Sequence, residues 1–179
     1  MRQFALLISV SMFFTLCCGG GGGGGGNQVI PPSLVASFTP AKSTPDALDI
    51  SLQKKSQSGD SFTIDVVITD VNNVYSASFD LVYDGALLDY LNYTEGNFLN
   101  DGATTSFLVS EQSGRLVVGA TRLGQVPGVN AVGNKILMSI AFKVKKTGST
   151  SVAFENNNLL NSTGAPIQVE WFGGTASGS

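Results

Sequence analysis

Apolar and polar residues alternate in short runs through the middle of the chain, and the clearest run covers residues 74–84. Tyr75, Ala77, Phe79, Leu81 and Tyr83 fall on one side of a period-two pattern, and Ser76, Ser78 and Asp80 on the other. Successive side chains of a strand point to opposite faces, so this run predicts a half-buried strand with its apolar set inward. Asp84-Gly85 ends it, and Asp84 is placed to cap a short turn at Ala86-Leu87-Leu88.

The same reading predicts strands over residues 48–52, 62–69, 105–111, 115–123, 136–144, 150–154 and 167–172. Ser113-Gly114 joins two of them as a hairpin. Residues 90–102 and 156–164 carry turn chemistry and read as loops. No long helical period and no internal repeat interrupts the series. Many short strands at this spacing imply an all-β sandwich or barrel.

The ends have a different composition. Residues 4–16 form an apolar run after Arg2. It is shorter than the ~20 residues needed to span a bilayer and fits the apolar region of a secretory signal. Cys17 and Cys18 follow, and then eight glycines over residues 19–26. Cysteine at the end of such a segment resembles the bacterial lipoprotein signal, which implies cleavage before a cysteine that is then lipidated. Cys18 is the preferred position and Cys17 the alternative. The domains expected are a signal over 1–18, a Gly/Pro-rich flexible linker over 19–45, a folded domain over 46–174 and a disordered tail over 175–179. Both cysteines lie outside that domain, so a disulfide framework is excluded from it.

The run Phe79-Asp80-Leu81-Val82-Tyr83-Asp84 resembles the signature strand of the bacterial cohesin domain. Further along, Gly114-Arg115 opens an apolar strand, a Gly-rich loop follows, and an alternating strand ends in Phe142-Lys143-Val144 before Gly148. Gly164-Ala165-Pro166-Ile167 then leads into the final strand. This order is again cohesin-like, over roughly residues 46–174. The resemblance implies a nine-stranded jelly-roll β-sandwich, in the superfamily of the cellulose-binding modules of families 2 and 3. It also implies a non-catalytic module that binds dockerins through the exposed face of the signature strand. Ser76 and Ser78 stand where well-known cohesins carry Asn and Asp, and Gly85 replaces the usual Pro.

Composition narrows the chemistry. The chain of 179 residues is 42% hydrophobic, carries a net charge of −3 and contains no histidine. A mildly acidic protein with scattered lysines has no electrostatic footprint for nucleic acid. Without histidine, Ser-His-Asp and Cys-His nucleophiles are excluded, and no zinc site is expected. Asp84, Asp89, Glu95 and Asp101 cluster in sequence. They read as turn residues and caps, with a loop Ca²⁺ as the one cofactor left open. Lys143, Lys145 and Lys146 read as a solvated sheet edge that discourages pairing.

The expected function is therefore that of a secreted module, lipid-anchored to the bacterial cell envelope. It would bind a dockerin-like protein partner in polysaccharide-degrading assemblies. Ser76, Ser78, Asp80 and Arg122 are the candidate partner-binding face. Two alternatives stand beside this: a polysaccharide-binding module stacking sugars on Tyr90, Tyr93 or Trp171, and a structural part of an envelope assembly. Trp171 alternates with Ile167 and Val169, which also fits core packing.

Overall fold

The computed structural model describes residues 33–179. Cys17, Cys18 and the octaglycine lie outside the described residues. Eleven strands run in chain order: β1 (Ala36–Pro40), β2 (Asp49–Ser58), β3 (Ser61–Thr69), β4 (Val74–Val82), β5 (Leu88–Glu95), β6 (Thr105–Gln112), β7 (Arg115–Arg122), β8 (Asn134–Val144), β9 (Gly148–Asn161), β10 (Glu170–Phe172) and β11 (Gly174–Gly178). They form a six-stranded sheet in the order β1-β11-β9-β4-β7-β6 and a five-stranded sheet in the order β10-β2-β3-β8-β5. All pairings are antiparallel except β10 with β2. No helix occurs among the described residues.

The two sheets pack face to face, as their alternation demands. Ile64, Val66 and Ile68 of β3 and Ile140 and Phe142 of β8 are fully buried, as are Leu81 of β4 and Leu116 of β7. Aromatic rings join the elements inside. Phe62 stacks on Phe38 of β1 at 5.7 Å and on Phe142 at 5.6 Å between centroids. Phe79 meets Phe154 edge-on at 5.2 Å. Offset and edge-on pairs of this kind add to simple area burial.

Three strands are not announced by the alternation: β1, β5 and β11. The expected linker and tail are corrected accordingly. Residues 36–40 pair with 174–178 as β1 and β11, and β11 also pairs with β9. The sandwich thus begins before Asp46 and runs to Gly178. Glycine, threonine, alanine and serine make up β11, so it has no apolar period to read. Likewise, β9 runs straight through the expected 156–164 loop as far as Asn161. The lysines placed at an edge are also corrected, since β8 lies between β3 and β5. Lys143 pairs with Asp60 at 3.1 Å and Lys145 with Asp89 at 2.9 Å.

Turn chemistry holds as read. Asp84 Oδ1 accepts from the Ala86 amide at 2.7 Å, and the Asp84 carbonyl accepts from the Leu87 and Leu88 amides at 2.9 Å. The β6–β7 hairpin turns at Gly114, whose φ of 87° suits glycine.

Candidate protein-binding face

The outward side of β9, β4, β7 and β6 is a regular four-strand face. Pairing sets its rows. Ser106, Thr121, Ser76 and Leu160 lie side by side, then Leu108, Gly119, Ser78 and Asn158, then Ser110, Val117, Asp80 and Glu155. Serine, threonine and glycine hold much of β4 and β7 here, with Leu108 and Leu160 on the flanking strands, and Ser76 is half-buried while Ser78 is exposed. The sequence places both outward, and the structure agrees.

Two bulges in the β4–β9 pairing shape the ends of this face. The first adds Tyr75 to β4. Tyr75 is therefore not in the buried set, and Val74 takes the inward place instead, fully buried. The Tyr75 hydroxyl reaches out to the Gly124 carbonyl at 2.6 Å. A cavity of about 530 Å³ opens beside it, lined by Ser76, Val126 and Leu160 among others. The second bulge adds a residue to β9 opposite Phe79. Asn156 takes a φ of 47° there, a left-handed conformation that asparagine tolerates. Its side-chain amide donates to Asp80 Oδ2 at 2.7 Å.

Asp80 is consequently less available than the alternation suggests. It points outward but is only 8% exposed. Arg115 Nη1 donates to the same Oδ2 at 2.5 Å, and Arg115 Nη2 donates to Glu155 Oε2 at 2.9 Å. The Asp80 hydrogen bond, with that of Glu155 behind it, raises the Arg115 pKa above its ordinary value. One guanidinium thus ties two carboxylates and closes one end of the face.

Arg122 is not on this face, and its expected role as charged anchor is corrected. It is 4% exposed. Strand β7 buries Leu116, Val118, Ala120 and Arg122 and turns Arg115, Val117, Gly119 and Thr121 outward. The Arg122 guanidinium donates to the carbonyls of Leu99 at 2.5 Å and Asp101 at 2.8 Å. Its Nε has no hydrogen-bond partner among the described residues. It anchors the 96–103 loop from inside.

The three candidate sugar-stacking aromatics do not make a strip. Trp171 packs against Phe154 at 5.0 Å and Phe79 at 5.8 Å. Tyr90 meets Phe142 edge-on at 6.4 Å, and Tyr93 also packs on the core. Trp171 and the tyrosines sit on opposite edge strands of one sheet, β10 and β5. Four strand spacings separate them, roughly 19 Å.

The four loop carboxylates do not converge on one site. Asp84 caps its turn and Asp89 pairs with Lys145, while Asp101 meets Arg122 through its backbone carbonyl and Glu95 lines a groove on the other sheet. No group of three or more acidic or thiol side chains among the described residues is placed to hold a metal. On the other sheet, an open groove of about 690 Å³ is lined by Glu95, Asn97, Asn134, Lys135 and others. On that groove's wall Lys55 Nζ donates to Ser139 Oγ at 2.9 Å, and Ser139 donates to Asp65 at 2.5 Å.

Leu108, Gly119, Arg115, Glu155 and Asn158 belong to the face but are not legible as a set in the sequence. Arg115 and Gly119 alone carry a signal, through their shared parity with Val117 and Thr121 on β7.

Comparison with known families decides what the sandwich is. The Cohesin domain family matches residues 47–168. The chain belongs to the cohesin family. Among solved structures it is similar to the sixth cohesin of scaffoldin B from Acetivibrio cellulolyticus, solved in complex with a dockerin. Identity is 18% and the TM-score 0.56, over 77% of this chain and 96% of that one. It is similar to a non-cellulosomal cohesin from the archaeon Archaeoglobus fulgidus at 15% identity and TM-score 0.53, over 78% and 88%. It is similar also to the cohesin module of a family 33 glycoside hydrolase from Clostridium perfringens, at 14% and 0.51, over 82% and 94%. No curated protein matches this cohesin. At these identities the structural likeness speaks for the fold, and the family match carries the assignment.

Proposed function

We propose that this cohesin is a non-catalytic module that captures a dockerin-type protein on the outward face of β9, β4, β7 and β6. The observation that carries the reading is that face itself. It is four strands wide, in unbroken register across β4, β7 and β6, and carries serine, glycine and threonine along β4 and β7. A partner helix can lie close against such a surface, because serine and glycine keep the strand backbones near the contact plane. The related module solved with a dockerin supports this choice of partner.

The module works from the bacterial envelope in this reading, held by lipid on Cys18, with Cys17 as the alternative. It serves polysaccharide breakdown, as the module within a glycoside hydrolase supports, and it uses no cofactor or nucleic acid. No observation on Tyr90, Tyr93 or Trp171 favours direct sugar binding.

The test is capture of partners from the organism's secreted proteins by the full chain, followed by identification of what is held. Ser76→Arg with Ser78→Glu should leave folding intact and abolish capture of a dockerin-bearing protein. Capture that survives the double change moves the partner to another surface. Mass spectrometry of the membrane fraction decides the anchor, and an unmodified amino terminus in the medium rules it out.

A further inference from the structure

The groove on the five-stranded sheet has two walls, and the fold pins both from behind. One wall is the chain that leaves β5, residues 94–101. The Gly96 amide donates to the Leu137 carbonyl at 2.9 Å, and a Cβ at Gly96 would collide with the Ile136 carbonyl. Phe98 and Leu99 are buried, and Arg122 holds the Leu99 and Asp101 carbonyls from inside. The other wall is the chain that enters β8, residues 129–136. Val129 and Val74 exchange both backbone hydrogen bonds at 2.8 Å, and the Ala131 amide donates to the Val71 carbonyl at 2.7 Å. The Gly133 amide donates to Asp70 Oδ1 at 2.6 Å. Irregular segments fixed this firmly on a sandwich are where binding groups are best held in place.

The space between the walls, about 690 Å³, falls in the range of about 300–1,000 Å³ usual for ligand sites. Carboxamides face it from both sides, Asn97 and Asn100 on one wall and Asn130 and Asn134 on the other. Asn130 Oδ1 accepts from the Asn73 amide at 2.8 Å, and Asn134 Oδ1 accepts from the Thr69 hydroxyl at 2.9 Å. Their oxygens are thereby fixed, and their NH₂ groups are left to donate elsewhere. Val132 and Ile136, 74% and 39% exposed, add an aliphatic patch. The charged residues that line the groove cancel, Lys55 and Lys135 against Glu95 and Asp101.

This chemistry selects its ligand. Cancelling charges give no hold on a phosphate or a polyanion. The aliphatic patch offers no flat ring for a crystalline sugar surface. Fixed amide donors, carboxylate acceptors and aliphatic side chains together match one sugar chain, whose hydroxyls both donate and accept and whose C–H faces are apolar. We propose that the groove is a second binding site, one that takes a single chain of a neutral polysaccharide. It lies on the other sheet from the proposed partner face and does not depend on that reading.

The experiment uses the full chain, with Kd read by calorimetry. The probes are cellohexaose, xylohexaose, mannohexaose and maltohexaose, with hexagalacturonate as the charged control and insoluble cellulose as the flat one. At least one neutral hexasaccharide should bind with a Kd of about 1 mM or tighter. Asn97→Ala with Asn100→Ala should raise that Kd about tenfold, as for one or two lost net hydrogen bonds. Both positions are exposed, so the melting temperature should not move. Val132→Ser should raise the Kd about threefold through the lost aliphatic contact. Raising salt from about 0.1 M to about 1 M should change the wild-type Kd less than about twofold, because the lining charges cancel.

If none of the neutral hexasaccharides binds, the site is overturned. Binding by hexagalacturonate alone, or by insoluble cellulose alone, overturns the ligand class. Binding of a neutral chain that survives both the paired asparagine change and Val132→Ser puts the sugar elsewhere and overturns the groove.

Discussion

Arg115 and Arg122 lie on the same strand, seven residues apart, and face opposite sides of the sheet. An odd separation along a strand always does this. Arg115 therefore closes a charge network on the outer surface, while Arg122 is enclosed and meets only backbone carbonyls.

The inner arginine should matter for stability. Arg122→Ala leaves the Leu99 and Asp101 carbonyls without their donor and opens a cavity under the loop. Each buried unsatisfied group costs about 1–3 kcal/mol, so the two carbonyls together should cost about 2–6 kcal/mol in urea unfolding. A variant as stable as the wild type would show that the loop holds itself.

The outer arginine should matter less. Arg115→Gln loses two ion pairs, but Glu155 is half-exposed and the guanidinium is itself partly in water. Pairs screened by water in this way contribute little to stability. Asp80→Ala should cost more, about 1–3 kcal/mol, because it strips the shared acceptor from Arg115 and Asn156 together. Equal effects in parallel melts would contradict this ranking.

Much of the architecture is legible in the sequence because burial enforces period two. Phe79, Leu81 and Ser78 take the sides their spacing predicts, and the hairpin at Ser113-Gly114 forms where turn chemistry puts it. The failures have local causes. In β5 the pairing shifts between Tyr90 and Asn92, which breaks the alternation of a real strand. In β9 the bulge at Asn156 makes a continuous strand look like a turn. Strand β6 reads Phe107-Leu108-Val109, three apolar residues in a row, so the outward Leu108 is not distinguishable from its inward neighbours. Arg122 has an apolar strand's parity and a charged residue's identity, and burial won because carbonyls at the loop receive it.

Tyr83 gives a prediction in pH. It is 6% exposed and its hydroxyl has no hydrogen-bond partner among the described residues. Burial pushes its pKa up to about 12 from the usual 10, with smaller help from Glu111 and Asp89. The folded state therefore holds this proton more tightly than the unfolded chain does. That contribution is fully present below pH 10 and is lost as pH rises through about 12. Tyr83→Phe should leave neutral-pH stability equal or improved, since an unpaired hydroxyl is removed, and should flatten the alkaline decline. Tyr90, also raised by burial, would leave a smaller step. An alkaline unfolding curve unchanged by Tyr83→Phe would assign the decline to other groups.

The core offers a direct check of register. Phe79 is 1% exposed and touches Phe154 and Trp171. Phe79→Ala should cost about 3–5 kcal/mol. An unchanged melting curve would mean that β4 presents its other side to the core.

The last prediction concerns where this cohesin begins and ends. A chain cut to residues 46–174 keeps the whole of the family match but loses β1 and most of β11. Strand β1 pairs residue by residue with β11 from Ala36 to Pro40. It also brings Phe38, 3% exposed, onto the ring of Phe62 at 5.7 Å. Without it Phe62 is uncovered, and β9 becomes an unprotected sheet edge that can pair with other chains. Losing a buried phenylalanine alone is worth about 3–5 kcal/mol, a large part of the 5–15 kcal/mol typical of a whole domain. Residues 33–179 should therefore unfold cooperatively at a higher temperature than residues 46–174, which should melt early or aggregate. Phe38→Ala in the longer chain separates ring from strand and should recover only part of the loss. Equal melting temperatures for the two lengths would show that β1 is an ornament on a sandwich already complete without it.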